Sequence, residues 1–340
     1  MESPIRLSRG DKPEALHRLL TGIESPFKPG DKVGIKIHWG EKGNRSFLNP
    51  HYTAEVVRWL LEKGAKPFVF DTTVLYSGGR RTGEDSLKTA AGNGFTESAL
   101  GCPILIGDGL DGRAVVEIAA GYRHFRTVQV ADVIQRADGF VILSHFKGHL
   151  GAGFGGAIKN LSMGFASRAH KQRMHADAHP ILGRREKCNR CGLCAEICPA
   201  KAIQPPSESS PPAFNLKKCI GCAECIALCP KAALKVFWDT DMKVFQERLV
   251  ETAAAVWRVI GGKSLVVNAL VKVTSECDCM PGKHPAIADD VGFLCGTHPV
   301  AVDAESIRLI GEAPFDKAHP DVPWRRQFEY ARKIGFSEGA

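Results

Sequence analysis

Apolar and polar positions fall into alternating blocks along the first half of the chain. Asp31 to His38 (DKVGIKIH) is an apolar run of strand length. Tyr52 to Lys63 repeats its apolar residues at helical spacing until Gly64 ends it. Lys66 to Asp71 (KPFVFD) predicts a second strand and Pro103 to Asp108 (PILIGD) a third, with a helix at Glu84 to Ala91 stopped by Gly92 and Gly94. Val130 to Ala137 predicts a helix leading into Gly139 to Phe146 (GFVILSHF), the most apolar strand of this half. Alternation of this kind predicts an α/β fold with a largely parallel sheet covered on both faces.

The pattern breaks near Gly183. Arg184 to Trp238 is rich in cysteine and carries a Pro/Ser linker, Pro205 to Pro212 (PPSESSPP). The α/β pattern then resumes. A long helix is predicted at Asp241 to Ile260 before Gly261 and Gly262, with strands at Ser264 to Val273 and Val291 to Leu294. Helices follow at Asp303 to Ile310 and from about Pro323. The expected organisation is a discontinuous α/β domain, 1–183 plus 239–340, interrupted by a small α+β insert at 184–238.

Composition narrows the class. The chain has 340 residues, 44% hydrophobic and 24% charged, as in globular domains. No apolar run has bilayer-spanning length. Met1 to Lys12 is polar without an apolar segment, so the expectation is a chain lacking a secretion signal and located in the cytoplasm. The net charge of +8 is uneven: Val141 to Arg190 holds nine Lys/Arg and five His against Asp177 and Glu186. No nucleic-acid-binding motif accompanies this zone, so no nucleic acid partner is expected. The zone suits a small anion, or forms a solvated basic face.

Twelve cysteines in a long chain without a signal point to metal rather than disulfides. Cys188, Cys191, Cys194 and Cys198 precede Pro199, and Cys219, Cys222, Cys225 and Cys229 precede Pro230. Both runs read C-x2-C-x2-C-x3-C-P, the two-cluster ferredoxin spacing, in which the fourth cysteine ligates the other cluster. Two [4Fe–4S] clusters are expected, one on Cys188, Cys191, Cys194 and Cys229, the other on Cys219, Cys222, Cys225 and Cys198. A zinc module, the competing reading, shows paired C-x2-C groups instead.

A second constellation lies in the α/β part. Lys36 and His38 share a strand face, as do His145 and Lys147, with His149 two residues on. Ligands of α/β sheets gather beyond the carboxyl ends of strands, where these residues fall. Gly151 to Met163 (GAGFGGAIKNLSM) is a glycine-rich loop opening a helix, whose free N–H groups are expected to hold an anion. Gly151, Gly153 and Gly156 spell G-x-G-x-x-G, but KGHL separates the loop from its strand and Asp177 ends no strand, so a dinucleotide site is set aside. Lys159 and Asn160 are read as substrate contacts. Cys277 and Cys279 (CDC), near Met280 and His284, are read as ligands of an additional metal, as a redox pair, or as a plain loop. His170, Lys171, Arg173 and His175 either grip an anion or form a solvated helix face. Cys102 and Cys295 read as buried, and His298, Asp303, Asp289 and Asp290 as caps or loop residues.

Over nearly its whole length the chain resembles the DUF362 iron–sulfur family. The likeness rests on KIHWGEKGN (36–44), EKGAKPFVFD (62–71), IGDGL (106–110), SHFKGHLGAGFGGAIKNLSMG (144–164), both cysteine runs, CDC (277–279) and HPVAVD (298–303). The family usually carries Asp where this chain has His298. The resemblance implies an α/β region with a bacterial-type ferredoxin insert, in a family without a settled activity. GHLGAGFGGAIK (148–159) also looks like the GH-x-x-AG-F-S-GG-x-K stretch of nickel-pincer lactate racemases. By that likeness His149 and Lys159 serve a site.

Three functions fit these residues. The first is an oxidoreductase that passes low-potential electrons from the clusters to an anionic substrate or metal in the α/β domain. Lysines there would bind the anion, and histidines would donate protons or bind metal. The second is a metal or sulfur carrier or maturation protein. The third is a non-catalytic electron-transfer partner. Each expects a redox partner protein: a ferredoxin, flavodoxin or reductase.

Overall fold

The computed structural model describes residues 5–177 and 179–337. Its strands are β1 (Arg6–Arg9), β2 (Lys32–Lys36), β3 (Lys66–Asp71), β4 (Ile104–Ile106), β5 (Val115–Ala119), β6 (Thr127–Ala131) and β7 (Gly139–His145). They continue as β8 (Lys147–His149), β9 (Gly153–Gly155), β10 (Ile203–Gln204), β11 (Ala213–Phe214), β12 (Ser264–Leu270) and β13 (Gly292–Gly296). The central sheet has seven strands in the order β1-β13-β12-β7-β2-β3-β4. From β12 to β4 every pairing is parallel, whereas β13 runs antiparallel to β12 and β1 antiparallel to β13. The fold is therefore α/β with a mostly parallel sheet, closed on one side by an antiparallel pair.

Alternate residues of the central strands feed two cores. Phe140 and Ile142 of β7 and Val266 of β12 face one core, while Val141, Leu143, Leu265 and Val267 face the other. The first core is covered by α5 (Ala157–Phe165), α9 (Met242–Ile260), α10 (Pro299–Ile310) and α12 (Arg326–Lys333), and the second by α1 (Pro13–Thr21), α2 (Pro50–Glu62) and α4 (Glu97–Leu100). Helix α2 starts where Asn49 accepts a hydrogen bond from the His51 N–H and Pro50 takes the first turn. Helix α9 starts where Asp241 accepts from Lys243 and Val244. The remaining helices are α3 (Gly83–Gly92), α6 (Arg168–His175), α7 (Leu193–Glu196), α8 (Glu224–Leu228) and α11 (Ala313–Ala318).

Several sequence expectations change. The helix read at Val130 to Ala137 is instead the end of β6 and a 3-10 turn at Asp132–Gln135. Val128, Val130, Ala131, Val133 and Ile134 are all buried, and so apolar a run fits a strand and turn as well as a helix. The β5–β6 hairpin, β1 and α1 lie outside the elements predicted from the sequence, although Ala15, Leu16, Leu19 and Leu20 give α1 a buried face at helical spacing. Helix α10 begins at Pro299 rather than Asp303, and the last helix begins at Arg326.

Between α6 and α9 the chain leaves the sheet and builds a small body. It has the antiparallel pair β10–β11, the helices α7 and α8, and a core of Ala176, Ile203, Ala223, Cys225, Ile226 and Leu234. Its stem starts slightly before 184, because Leu182 bridges Leu234 and the Gly183 N–H donates to Ala233. Hydrogen bonds dock it, among them that of Arg81 to the Cys229 carbonyl. Gln172 of α6 exchanges a pair with the Phe237 backbone, and Gln129 of β6 donates to Glu224.

Candidate functional site

The carboxyl ends of β2, β3 and β7 open into one cleft of about 1340 Å3. Lys36, His38, His145, His149, Lys159, Asn160, Cys277 and Cys279 all line it. Lys147 does not. The sequence reading missed Glu41, Asp71, Arg80 and Asp278, which also line the cleft. Asp71 could have been found as the last residue of a strand in the same position as Lys36 and His145. Glu41, Arg80 and Asp278 sit in loops without a motif of their own.

Two ionic networks form the walls. In the first, Lys36 is fully buried and its Nζ is shared by the Asp71 carboxylate at 2.9 Å, Asn160 Oδ1 at 2.9 Å and the Ile37 carbonyl at 2.6 Å. Arg80 joins Asp71 at 2.8 Å and Glu41 at 3.3 Å, and donates to the Tyr76 hydroxyl at 2.5 Å. Burial works to raise the Asp71 pKa, yet Lys36 and Arg80 hold it down at about 2. Asn160 donates to the Leu143 carbonyl and Ser144 Oγ while accepting from Lys36. It tethers α5 to β2 and β7, so its amide is already committed, contrary to its reading as a free substrate contact.

In the second network Asp278 takes Lys147 Nζ on one oxygen at 2.6 Å and His145 Nδ1 on the other at 2.8 Å. His145 Nε2 donates to the Val271 carbonyl, and Lys147 also donates to the Ser46 carbonyl. Burial opposes ionisation of Asp278, but His145 and Lys147 keep its carboxyl well below the usual range. Lys147 and His145 therefore hold the CDC turn through Asp278. Lys147 itself does not line the cleft.

Lys159 differs from both buried lysines. Among the described residues its Nζ has no hydrogen-bond or ion-pair partner, and it lines the cleft. Burial, with Arg80 nearby, lowers its ammonium from 10.5 to about 8. Lys171 is also lowered by burial to about 8, but it donates to Thr72 Oγ1 and the Thr73 carbonyl. His38 Nδ1 accepts the Gly40 N–H, and His149 Nδ1 accepts from both Gly151 and Ala152. Burial pushes both imidazoles well below 6.5, so each is neutral with its proton on Nε2. Among the described residues the cleft thus presents the unpaired ammoniums of half-buried Lys159 and of exposed Lys42 and Lys88, with the Nε2–H of His149, while His38 Nε2 is buried without a partner; this excess of cationic donors suits an anion.

The glycine-rich loop works differently from the sequence expectation. The first N–H groups of α5 do not await an external anion. Ala157 and Ile158 donate to the two oxygens of Asp303 at 2.7 and 2.9 Å, and Asn268 donates to the same carboxylate at 2.7 Å. An ionised side chain of the protein already occupies that helix end. A Cβ at Gly156 would stand 2.3 Å from Asp303 Oδ1, which explains the glycine. Of the four α6 residues, Lys171 and His175 reach the cleft. His170 instead bonds Thr252, and Arg173 stacks on Phe125. His284 approaches the Met280 carbonyl, Asp290 accepts from the Lys272 N–H, and Cys102 and Cys295 are buried singly. His298 lies among Trp257 and Phe336, outside the cleft.

In the inserted body the eight run cysteines form no disulfides. Cys188, Cys191, Cys194 and Cys229 line one small cavity, and Cys198, Cys219, Cys222 and Cys225 line another. Each cavity takes three cysteines from one run and the last cysteine of the other. The two runs share backbone conformation at matched positions. Left-handed residues occur at Arg190 and Gly221, at Gly192 and Ala223, and at Lys201 and Ala232. The Ala202 N–H donates to Cys198 Sγ and the Ala233 N–H to Cys229 Sγ, again at matched positions. A further donor group stands in the cleft, where a ring nitrogen of His149 and the sulfurs of Cys277 and Cys279 lie within 4.8 Å of one another. Among the described residues no helix is long and apolar enough to cross a membrane.

Residues 33–308 match the family model described as a domain of unknown function, DUF362. No curated protein matches the chain by sequence. Among solved structures, a protein from Thermotoga maritima is similar at 12% identity and a TM-score of 0.45, over 92% of this chain and 59% of its own. The lactate racemase apoprotein from Thermoanaerobacterium thermosaccharolyticum is similar at 12% identity and a TM-score of 0.38, over 77% of this chain and 49% of its own. The chain thus spans about half the length of these two structures.

Proposed function

The chain belongs to the DUF362 family, and from that premise we propose that it is an iron–sulfur redox enzyme acting on a small anionic substrate in the α/β cleft. The donor set of the insert supports the cofactor. Each cavity gathers four thiol sulfurs and no imidazole, the one carboxylate in either lining, Glu224, accepts a hydrogen bond from Gln129, and left-handed turns and N–H···S bonds recur in both. Four cysteines of this spacing suit a [4Fe–4S] cluster, with Cys188, Cys191, Cys194 and Cys229 holding one and Cys198, Cys219, Cys222 and Cys225 the other. Such clusters, when bound, supply electrons singly at low potential. A ferredoxin, flavodoxin or reductase would deliver them.

The observation that carries the reading is the unpaired Lys159 in a cleft whose wall touches the insert. Ala227, two residues from Cys225 on α8, packs with Leu75, and Leu75 lines the cleft. Arg81, next to Arg80, donates to the carbonyl of Cys229 at 2.8 Å. Lys159 would bind a carboxylate or phosphate. The lowered pKa of Lys159 suits it to give up a proton near neutral pH. Arg80 and Lys36, each already committed to Asp71, keep the wall rigid.

Anaerobic iron and sulfide analysis with EPR tests the cofactor, with about eight irons and eight sulfides expected. Reoxidation of the dithionite-reduced chain by a panel of 2-oxo acids, acyl phosphates and sulfur oxyanions tests the substrate class. At least one anion should reoxidise the wild-type chain rapidly and the Lys159→Met chain slowly. Zinc in place of iron, or equal rates in the two chains, would refute the reading.

A further inference from the structure

Cys277 and Cys279 are the one bonded cysteine pair among the described residues. Both line the substrate cleft. The residue between them, Asp278, is pinned on both carboxylate oxygens and at its carbonyl, which accepts the Glu41 N–H at 2.8 Å. Asn44 donates to the Met280 carbonyl at 2.6 Å. The turn is thus held from several sides while its sulfurs remain on the cleft surface. A structural disulfide closing so short a loop constrains little of the unfolded chain, so stability does not account for it.

His149 is the third member of the group. Its Nδ1 lone pair is taken by two backbone N–H groups, which leaves the proton of the neutral ring on Nε2. A metal on Nε2 needs a lone pair there, and this ring has none to offer. A sulfur leaving as thiolate is stabilised by a hydrogen-bond donor, and a ring nitrogen of His149 stands within 4.8 Å of both sulfurs.

A line of rings joins the pair to the insert. Phe237 packs in the insert's core with Cys225. The next residue, Trp238, is 51% exposed and meets the His175 ring edge-on at 4.6 Å. His175 stacks on Phe245 at 4.5 Å. Phe245 and His149 both stand beside Gly151, where an added Cβ would lie 3.5 Å from Phe245 Cε1 and 3.7 Å from His149 Cε1.

We propose that Cys277 and Cys279 are a disulfide/dithiol couple that converts single electrons from the insert into a two-electron, two-proton unit facing the substrate, with His149 as hydrogen-bond donor to the leaving sulfur. The proposal rests on the iron–sulfur reading of the insert. Two electrons, delivered one at a time, enter the S–S bond and break it, and two protons from cleft water complete two thiols. On reoxidation the thiols return two electrons and two protons to a bound anion bearing a two-electron-reducible group, and the S–S bond re-forms. His145 and Lys147 are positioning residues that act through Asp278.

The full chain, handled anaerobically, is poised in buffers of reduced and oxidised dithiothreitol, quenched, alkylated and mapped by mass spectrometry, with iron counted on the same samples. Cys277 and Cys279 should gain their two labels together along a single two-electron curve. The dithionite-reduced wild-type chain should reduce the pair, and a Cys277→Ser/Cys279→Ser chain with full iron should retain its electrons. In the reduced chain, His149→Phe should move the pH profile of alkylation upward by about one unit, and His149→Gln, which keeps an N–H donor, should restore it. A pair that takes labels singly or at every potential, or that retains stoichiometric metal through chelation, overturns the couple even when iron is complete. A two-electron curve in a chain without iron overturns the iron–sulfur reading and with it the electron supply proposed here.

Discussion

Lys147 on β8 and Lys159 on α5 should respond in opposite directions to the same substitution. Lys147 is 1% exposed, and its ammonium bonds the Asp278 carboxylate at 2.6 Å and the Ser46 carbonyl at 2.6 Å. Replacement by Met leaves Asp278 buried against His145 alone, and losing one partner of such a pair costs about 3–5 kcal/mol. Lys159 has no partner to abandon. Its pKa falls from 10.5 to about 8 because burial disfavours the charge. That shift bounds the penalty of keeping it charged at ~3 kcal/mol, and water in the open cleft reduces it further. Lys159→Met should therefore leave stability unchanged or raise it by about 1 kcal/mol. The sign also follows with pH. Between about 8 and 10.5 the unfolded chain binds more protons at this residue than the folded one, so wild-type stability gains from it as pH rises, and the advantage of Lys159→Met shrinks over that window. Urea unfolding of both variants at pH 7 and pH 10 provides the comparison. A loss of more than about 1 kcal/mol for Lys159→Met at pH 7 would show that Lys159 holds a structural contact, and the anion site built on it would fall.

Other consequences are open to direct measurement. Anion affinity should be level below pH 8 and weaken about tenfold per unit above it as Lys159 loses its proton, which calorimetry from pH 6 to 10 would show; a flat profile would remove Lys159 from the site. Cys229→Ser should expose Cys188, Cys191 and Cys194 to alkylation and leave Cys198, Cys219, Cys222 and Cys225 protected, with iron falling from about eight toward about four; exposure of the other set would reverse the crossed grouping. Gly164→Ala would place a Cβ 2.4 Å from Lys36 Cε, and because Lys36 is held at three acceptors it has nowhere to move. The expected loss is about 3 kcal/mol by denaturant midpoint, at the upper end for overpacking, and a loss under 1 kcal/mol would mean that Lys36 is freer than its contacts imply.

Much of this protein is legible along the chain because local chemistry repeats with a period. The buried parallel strands β7 and β12 are continuous apolar runs, and helix α9 shows its cap and its glycine stop. The eight run cysteines carry their spacing wherever the loop folds. Even the strand-end residues Lys36, His38 and His145 were readable, since a side chain's face follows from the period of two and its height from the end of the run. What the sequence left open depends on partners far away in the chain. Lys147 and Lys159 look alike as letters, and only the arrival of Asp278 over 130 positions later makes one a tether and leaves the other free. The start of α5 resembles an anion site until Asp303 fills it from another helix. Glu41, Arg80 and Asp278 had no pattern to betray them, because a buried charge is specified by what neutralises it and that partner comes from elsewhere in the fold. Periodicity and ligand spacing are properties of a segment and survive in one dimension, whereas the pairing of charges is decided when the sheet brings separate loops to one end.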